Sequence, residues 1–359
     1  MNRGDGLLKK DFIIPYLKTL SLDPENQESP IHFLDRWKTP KDYFYLRNHF
    51  AYPQIIPQPF YLTIQGNVKK PVKITMNDLH HLPSKTIMLP LECAGNNRAK
   101  FKPKVYGEQW EEGAVSQAKW KGVPLRELLN RAGLLDGSKE AVFVGMDFGE
   151  RKDLEETFYY GRSLPIEKAL HENTIVAYEY NGKPIPYKHG FPFRLIVPQW
   201  YAMASVKWLQ NIFIIKHEFN GPFQTKDYVY YPYKDSDKDK RPVTTINVNS
   251  TIQQPMNYSI IEEGPQMIKG IAWCGTGTIK EVEISFDYGI SWRKASLKWK
   301  ESEKYAWVKW QFEWQAVKGE HTILVRAHDT EGHVQPLRPF WNRKGYGYNA
   351  VQKANIKVE

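Results

Sequence analysis

The residues best placed to do chemistry lie in Leu91-Glu92-Cys93-Ala94-Gly95-Asn96-Asn97-Arg98. One of the chain's two cysteines sits there. An apolar run, Thr86-Ile87-Met88-Leu89-Pro90-Leu91, precedes it, and small, polar and basic residues follow. A strand that carries a thiol to its end, then a tight Gly-Asn turn and an arginine, can present sulfur to a bound group. A guanidinium beside the thiol favours thiolate over thiol. Taken alone, Cys93 reads more simply as a buried thiol acting as a small hydrophobe. The rest of the chain decides between the two.

Other candidate residues are spread along the sequence. Arg47-Asn48-His49 puts a fixed cation, an amide and an imidazole side by side after Asp42-Tyr43-Phe44-Tyr45-Leu46. On a loop such a trio grips phosphate or carbonyl groups. The stretch opening at Asp42 has strand composition before the trio, and Pro53, Pro57 and Pro59 follow it. Asp147 ends an apolar stretch, Ala141-Val142-Phe143-Val144-Gly145-Met146, that reads as a buried strand. His189-Gly190-Phe191-Pro192-Phe193-Arg194 and Ser205-Val206-Lys207 supply further cations and donors near strand ends. Each of these, alone, is read as a salt bridge or a capped turn.

The elements that must position these groups follow from pattern. Phe60-Tyr61-Leu62-Thr63-Ile64 before Gly66-Asn67 reads as a strand and turn. Thr75 is a candidate N-cap for a short helix opening at Met76. Pro124 to Gly133 reads as a helix with proline at its start and glycine at its end. Ile166–Leu170 is a second short helix, and Asn181-Gly182 after Ile175–Tyr180 is a strong hairpin signal. Strands interleaved with short helices predict an α+β domain with a mostly antiparallel or mixed sheet. Beyond a charged stretch, Tyr233–Arg241, the pattern changes. Val282, Ile284 and Phe286 alternate with Glu281, Glu283 and Ser285, and Val308, Trp310, Phe312 and Trp314 alternate with Lys309, Gln311 and Glu313. Asp287-Tyr288-Gly289 supplies a turn. Short strands without helical periodicity predict a β-sandwich, immunoglobulin-like in architecture only, since no cysteine pair joins its sheets. The expected organisation is an N-terminal extension over 1–40 hugging the surface, a catalytic domain over 41–235 and the sandwich over 242–359.

Bulk properties narrow the function classes. The chain has 359 residues, 41% hydrophobic, enough for two cored domains. Its formal net charge is +10, but the basic residues are dispersed and no nucleic-acid motif occurs. That favours a small anion or a phosphate-bearing cofactor over a polynucleotide. Cys93 and Cys274 cannot build a zinc cluster alone, and a disulfide between two domains is not expected. Met1–Lys10 shows neither an apolar segment nor twin arginines, and no run is long enough to span a bilayer. The expectation is a cytoplasmic protein for the sequence as given, or a periplasmic one if a leader has been removed.

Taken in order, the motifs resemble the sulfite oxidase family of molybdenum–molybdopterin enzymes. The matching residues are Phe44–His49, Leu91–Arg98, Trp110 through Trp120, Asp147, His189–Arg194 and Val206-Lys207-Trp208. The second domain is similar to that family's dimerisation domain through Ser285–Trp292, Trp341-Asn342 and Asn349-Ala350. The resemblance covers nearly the whole chain from about residue 40; each motif is weak alone, and the joint order is specific.

The resemblance implies a molybdopterin-binding α+β domain followed by an immunoglobulin-like β-sandwich, with a molybdenum–molybdopterin cofactor. It casts Cys93 as the thiolate that ligates molybdenum, and a soft thiolate suits a soft, dithiolene-bound metal. Tyr45, Leu46, Arg47, Asn48, His49, Asp147, His189, Arg194, Ser205, Val206 and Lys207 take the positions of cofactor contacts. Arg47, Arg98, Trp110 and Tyr228 take those of the substrate pocket. A further family arginine is replaced by Lys344 in Trp341-Asn342-Arg343-Lys344-Gly345, with Arg343 as the neighbouring alternative; lysine keeps the charge but loses the fork. Tyr106 stands where animal members have a rim lysine. No haem-binding domain is recognised in the sequence, so the electron acceptor is expected to be a separate partner, cytochrome c or another. A homodimer is implied by the second domain.

The leading expectation is oxidation of sulfite to sulfate. A molybdopterin-dependent S-oxide or nitrate reductase on the same scaffold is the second. A cofactor-free binding or assembly protein is the third, favoured only if Cys93 is dispensable.

Overall fold

The computed structural model describes residues 16–54 and 60–359. Met1–Lys10, Pro57 and Pro59 lie outside the described residues.

Alternating burial builds two sheets around the first half of the chain. One has the strands Lys183–Pro184, Ile175–Tyr180, Val115–Pro124 and Lys85–Glu92 in that order, with Arg194–Ile196 pairing to Ile175–Tyr180. The other runs Val72–Ile74, Leu62–Gly66, Leu209–Ile215, Glu140–Arg151 and Glu156–Pro165. Only the Leu62–Gly66 and Leu209–Ile215 pair is parallel within them. The mixed, largely antiparallel sheets agree with the sequence reading.

Local chemistry fixes the connections as expected. Thr75 accepts from the backbone N–H of Asp78 while the Asp78 carboxylate accepts from Thr75, a reciprocal capping box for the helix Met76–His80. The helix Leu125–Ala132 begins after Pro124 and ends at Gly133, whose φ is 71°. Asn181 and Gly182 both have positive φ and close the hairpin between Ile175–Tyr180 and Lys183–Pro184.

Three expectations need correction. Asp42–Leu46 is not a strand: a short 3₁₀ turn, Lys41–Tyr43, leads into irregular chain whose one β-bridge among the described residues joins Gln27 and Leu46, and the polar trio that follows lies on a loop, as expected. That lets the Arg47-Asn48-His49 trio face inward. The strand carrying Asp147 does not end there. It runs on to Arg151, and its register with Glu156–Pro165 breaks between Val144 and Phe148, a bulge that re-aims Asp147. The described part of the N-terminal segment does more than coat the surface. Its hairpin, Lys18–Leu22 with Glu25–Glu28, buries Asn26 and Glu28 completely or nearly so.

The second half is a sandwich. A four-stranded sheet, Asn249–Gln254, Gly264–Trp273, Val308–Ala316 and Ser296–Lys298, packs on a five-stranded one. The latter runs Ile260–Ile261, Gln352–Val358, Gly319–Asp329, Ile279–Ser285 and Arg293–Lys294. Val308–Ala316 buries every second residue, and Val282, Ile284, Trp310, Phe312 and Trp314 form the core between the sheets. Its period of two is what the sequence pattern required.

Candidate active site

The strand Lys85–Glu92 is apolar because it is buried from Ile87 onward. It delivers Cys93, 6% exposed, to the end of the sheet. The turn that follows is tied on both sides. The Cys93 N–H donates to Ala114 O (2.9 Å) and Cys93 O accepts from Asn96 N–H (2.9 Å). Asn97 takes the left-handed conformation (φ 62°) and starts the short turn carrying Arg98.

Two cavities meet at Cys93. The first is lined by Tyr45, Leu46, Arg47, Asn48, His49, Asp147, His189, Arg194, Ser205, Lys207 and Tyr228. Thus every anticipated cofactor contact except Val206 lines it. Val206 packs its side chain into the main core, and its backbone carbonyl accepts from Leu195 N–H. The second cavity shares Arg47, His49, Cys93 and Tyr228 and adds Arg98, Tyr106, Arg151, Lys344 and Tyr346.

The first cavity is rich in buried groups with unused bonding capacity. Lys207 donates to Arg47 O (3.1 Å) and to Asn48 Oδ1. Arg194 donates to His189 O (3.0 Å) and lies over the Trp120 ring. The buried Asp147 Oδ1 and Arg194 Nε have no partner among the described residues. Burial raises the Asp147 carboxyl and lowers the Lys207 ammonium, each opposed by the other's charge. Burial, then Arg194, lowers His189 to about 3, and burial, then Arg47 and Lys207, holds His49 well below the ordinary imidazole value. Both imidazoles are therefore neutral hydrogen-bonding groups near pH 7.

These residues fit a molybdopterin cofactor. Unmatched buried donors and acceptors each cost about 1–3 kcal/mol, and a polar pterin with a phosphate supplies partners of both kinds. Arg194, Lys207 and the neutral imidazoles face such a group, Asp147 can accept from its N–H groups, and Cys93 offers the sulfur.

In the second cavity Arg98 is locked. Nε donates to the carbonyls of Lys344 (3.1 Å) and Gly345 (3.2 Å), and Nη1 donates to Glu108 O (3.1 Å). A Cβ at Gly95 would stand 2.7 Å from its Cζ, and one at Gly107 (φ 106°) 2.9 Å from Nη1. Only glycine leaves room for this guanidinium. The Tyr228 hydroxyl lies 2.9 Å from His49 Nε2. With the ring proton on Nδ1, the hydroxyl donates to Nε2.

The Cys93 thiol is pulled two ways, with the nearby guanidiniums acting as the sequence suggested. Burial raises it, and Arg47 and Arg98 only reduce that rise. Desolvation thus outweighs two nearby guanidiniums, and a metal ion held by the sulfur would deprotonate it outright.

Two anticipated pocket residues are elsewhere. Trp110 is completely buried behind Tyr45, edge-on at 6.4 Å, and lines neither cavity. Its indole fills the core that supports the Cys93 strand. Arg343 points to the linker, pairing with Asp237 (2.5 Å) and lying over Tyr231. Lys344 is the one that reaches the cavity.

Other site residues escaped the sequence reading. Asn26 Oδ1 accepts from Asn48 N–H (2.8 Å). Arg151 bridges Asp153 and Asp227 at the cavity mouth. Glu92, 1% exposed, accepts from Trp273 Nε1 (2.8 Å), Asn96 (3.0 Å) and Asn249 (3.3 Å). With Gly347 N–H donating to Ala94 O (2.8 Å), it ties the Cys93 turn to the second half of the chain. No sequence signal joins residues so far apart; only the adjacency of Glu92 to Cys93 hints at it.

Comparison with known proteins agrees with this class of site. Residues 49–223 match the family model described as an oxidoreductase molybdopterin binding domain, and residues 240–359 the Mo-co oxidoreductase dimerisation domain. Sulfite oxidase of Arabidopsis thaliana is 31% identical over 362 residues, covering 92% of this chain and 91% of that protein. Mitochondrial sulfite oxidase of Mus musculus is 33% identical over 365 residues, covering 96% of this chain; the chain spans 66% of that protein's length. The solved structure of the sulfane dehydrogenase SoxCD from Paracoccus pantotrophus superposes with a TM-score of 0.81 at 25% identity, covering 100% of this chain and 96% of that one. The fold and site define a molybdopterin oxidoreductase. Within that class, the chain belongs to the sulfite oxidase family. Among the described residues no helix is long and apolar enough to cross a membrane.

Proposed function

We propose that the protein oxidises sulfite to sulfate with a molybdenum–molybdopterin cofactor and passes the electrons to a separate acceptor. The observation that carries this reading is the meeting of a cavity lined by buried polar groups and a cationic cavity at one thiol, Cys93. The reaction consumes water and releases two protons and two electrons for each sulfite.

The cofactor, when bound, supplies oxygen-atom transfer and two-electron redox chemistry. Cys93 is the protein ligand to its metal. Tyr45 to His49, Asp147, His189, Arg194, Ser205 and Lys207 hold and orient it. Arg47, Arg98 and Lys344 draw in and hold a dianion, and their charges count for more in a partly dry pocket than in water. The three cations differ in freedom: Arg98 is fixed by carbonyls and glycines, whereas Lys344 is half-buried at the mouth. Tyr228 keeps its hydroxyl aligned through His49 Nε2. Burial raises this phenol far above its usual range, so it stays protonated and donates. The second domain serves as the homodimer contact of this family member.

The test is metal analysis of the purified protein together with sulfite-dependent reduction of a dye or cytochrome. Stoichiometric molybdenum and sulfite-dependent turnover support the reading; absence of either sinks it.

A further inference from the structure

The wall facing Tyr228 is formed by a residue that the reading above leaves without a task. Tyr346 comes from the C-terminal segment, between Gly345 (φ 63°) and Gly347 (φ 67°). Its backbone is pinned in both directions by the fully buried Asn342: the Tyr346 N–H donates to Asn342 Oδ1 (3.0 Å), and Asn342 Nδ2 donates to Tyr346 O (2.8 Å). The ring stacks on Tyr228 with centroids 5.3 Å apart and planes at 28°. The Arg98 Cζ sits 4.9 Å from its centroid. One ring therefore touches both Tyr228 and Arg98, and it lines the same cavity as Arg47, Cys93 and Lys344.

The two phenols differ in what their hydroxyls do. That of Tyr228 is engaged by His49 Nε2. That of Tyr346 has no hydrogen-bond partner among the described residues, although the residue is only 9% exposed. Burial raises it to about 12, so it is a neutral O–H donor at pH 7. A donor that is free, held on a fixed backbone and stacked between two pocket residues is pre-organised for an anion's oxygen.

We propose that Tyr346 is a specificity-determining residue of the anion pocket: its hydroxyl donates to an oxygen of the bound oxyanion, and its ring sets the pocket's width by spacing Arg98 from Tyr228. The inference rests on the sulfite reading for its substrate class, tetrahedral or pyramidal sulfur oxyanions. It assigns the second half of the chain a direct contact with substrate in addition to the charge of Lys344.

The experiment uses the molybdenum-loaded full chain and its Tyr346→Phe and Tyr346→Val variants. Two quantities are read: sulfite kinetics with a dye acceptor, and sulfate binding by calorimetry. Tyr346→Phe keeps the stack and loses the donor. It is expected to retain molybdenum, raise KM for sulfite and weaken sulfate binding by about tenfold, and leave kcat within about twofold. Tyr346→Val removes the ring as well, so kcat falls too, and Tyr346→Phe restores it. Unchanged KM and sulfate affinity in Tyr346→Phe overturn the inference, as does a wild-type protein that binds no sulfate. A wild type that binds sulfate more tightly than Tyr346→Phe but oxidises no sulfite overturns the functional reading and leaves the anion contact standing.

Discussion

The two cavities that meet at Cys93 are built by different means. The cofactor side is assembled almost wholly from the first half of the chain, from loops and strand ends whose polar groups are buried and partly unmatched. The substrate side is a composite. Arg47, Arg98, Arg151 and Tyr228 come from the first half, while Lys344 and Tyr346 come from the C-terminal segment. The first side is a mould for a bound group, with neutral imidazoles and unspent donors. The second is a charged funnel whose cations are already tied to protein carbonyls or carboxylates. The difference teaches that cofactor retention and anion affinity should be separable by mutation, although both cavities reach Cys93.

Lys207→Met is expected to have the largest effect. It removes a buried ammonium that organises Arg47 and Asn48, and cofactor affinity should fall by roughly 10–100-fold. Molybdenum content of the purified variant measures this; a full load would break the comparison. Arg98→Met should do the reverse. It keeps molybdenum while KM for sulfite rises by roughly 10–100-fold, the range for losing a hydrogen-bonded charge. Steady-state kinetics on metal-matched protein decide it.

Acid stability sharpens the contrast from the cofactor side. His189 is held neutral down to about 3 by burial, whereas the unfolded chain takes up that proton near 6.5. The unfolded state therefore binds more protons on acidification. The contribution of His189 is full above pH 6.5 and is lost as pH falls toward 3. Denaturant titrations should show wild type losing about 2 kcal/mol more than His189→Gln between pH 6.5 and about 5. Parallel curves would contradict it. The smallest effect is expected for Arg343→Ala. Its partners are Asp237, Tyr231 and Lys234 O, outside both cavities. Sulfite KM should stay within about twofold, as for a surface ion pair; a large rise would return Arg343 to the pocket.

The same asymmetry governs how much was legible in the sequence. Thr75, Pro124, Gly133 and Asn181-Gly182 announced their turns because capping and positive φ are local needs. The alternation over Val308–Ala316 announced the sandwich for the same reason. The cofactor side was largely readable through contiguous motifs such as Arg47-Asn48-His49. What failed there was local geometry: a strand composition ahead of the trio, over Asp42–Leu46, that tertiary contacts overrode, and a bulge at Asp147 with no residue-level signature. The substrate side was less readable. Trp110 is aromatic and adjacent in sequence to pocket residues, yet packing sends it to the core. Tyr346, Arg151 and Glu92 gain their roles only from contacts across the chain, and such contacts leave no mark on neighbouring positions. At the thiol, proximity to arginine was visible in the sequence and the size of the opposing desolvation was not.

The most direct test of the account is a single substitution at the junction, Cys93→Ser, in protein assayed for molybdenum content and for sulfite-dependent acceptor reduction. If one sulfur joins the cofactor mould to the anion funnel, turnover falls by at least about a hundredfold while the melting transition is preserved. A Cys93→Ser protein that turns over sulfite like the wild type would contradict it.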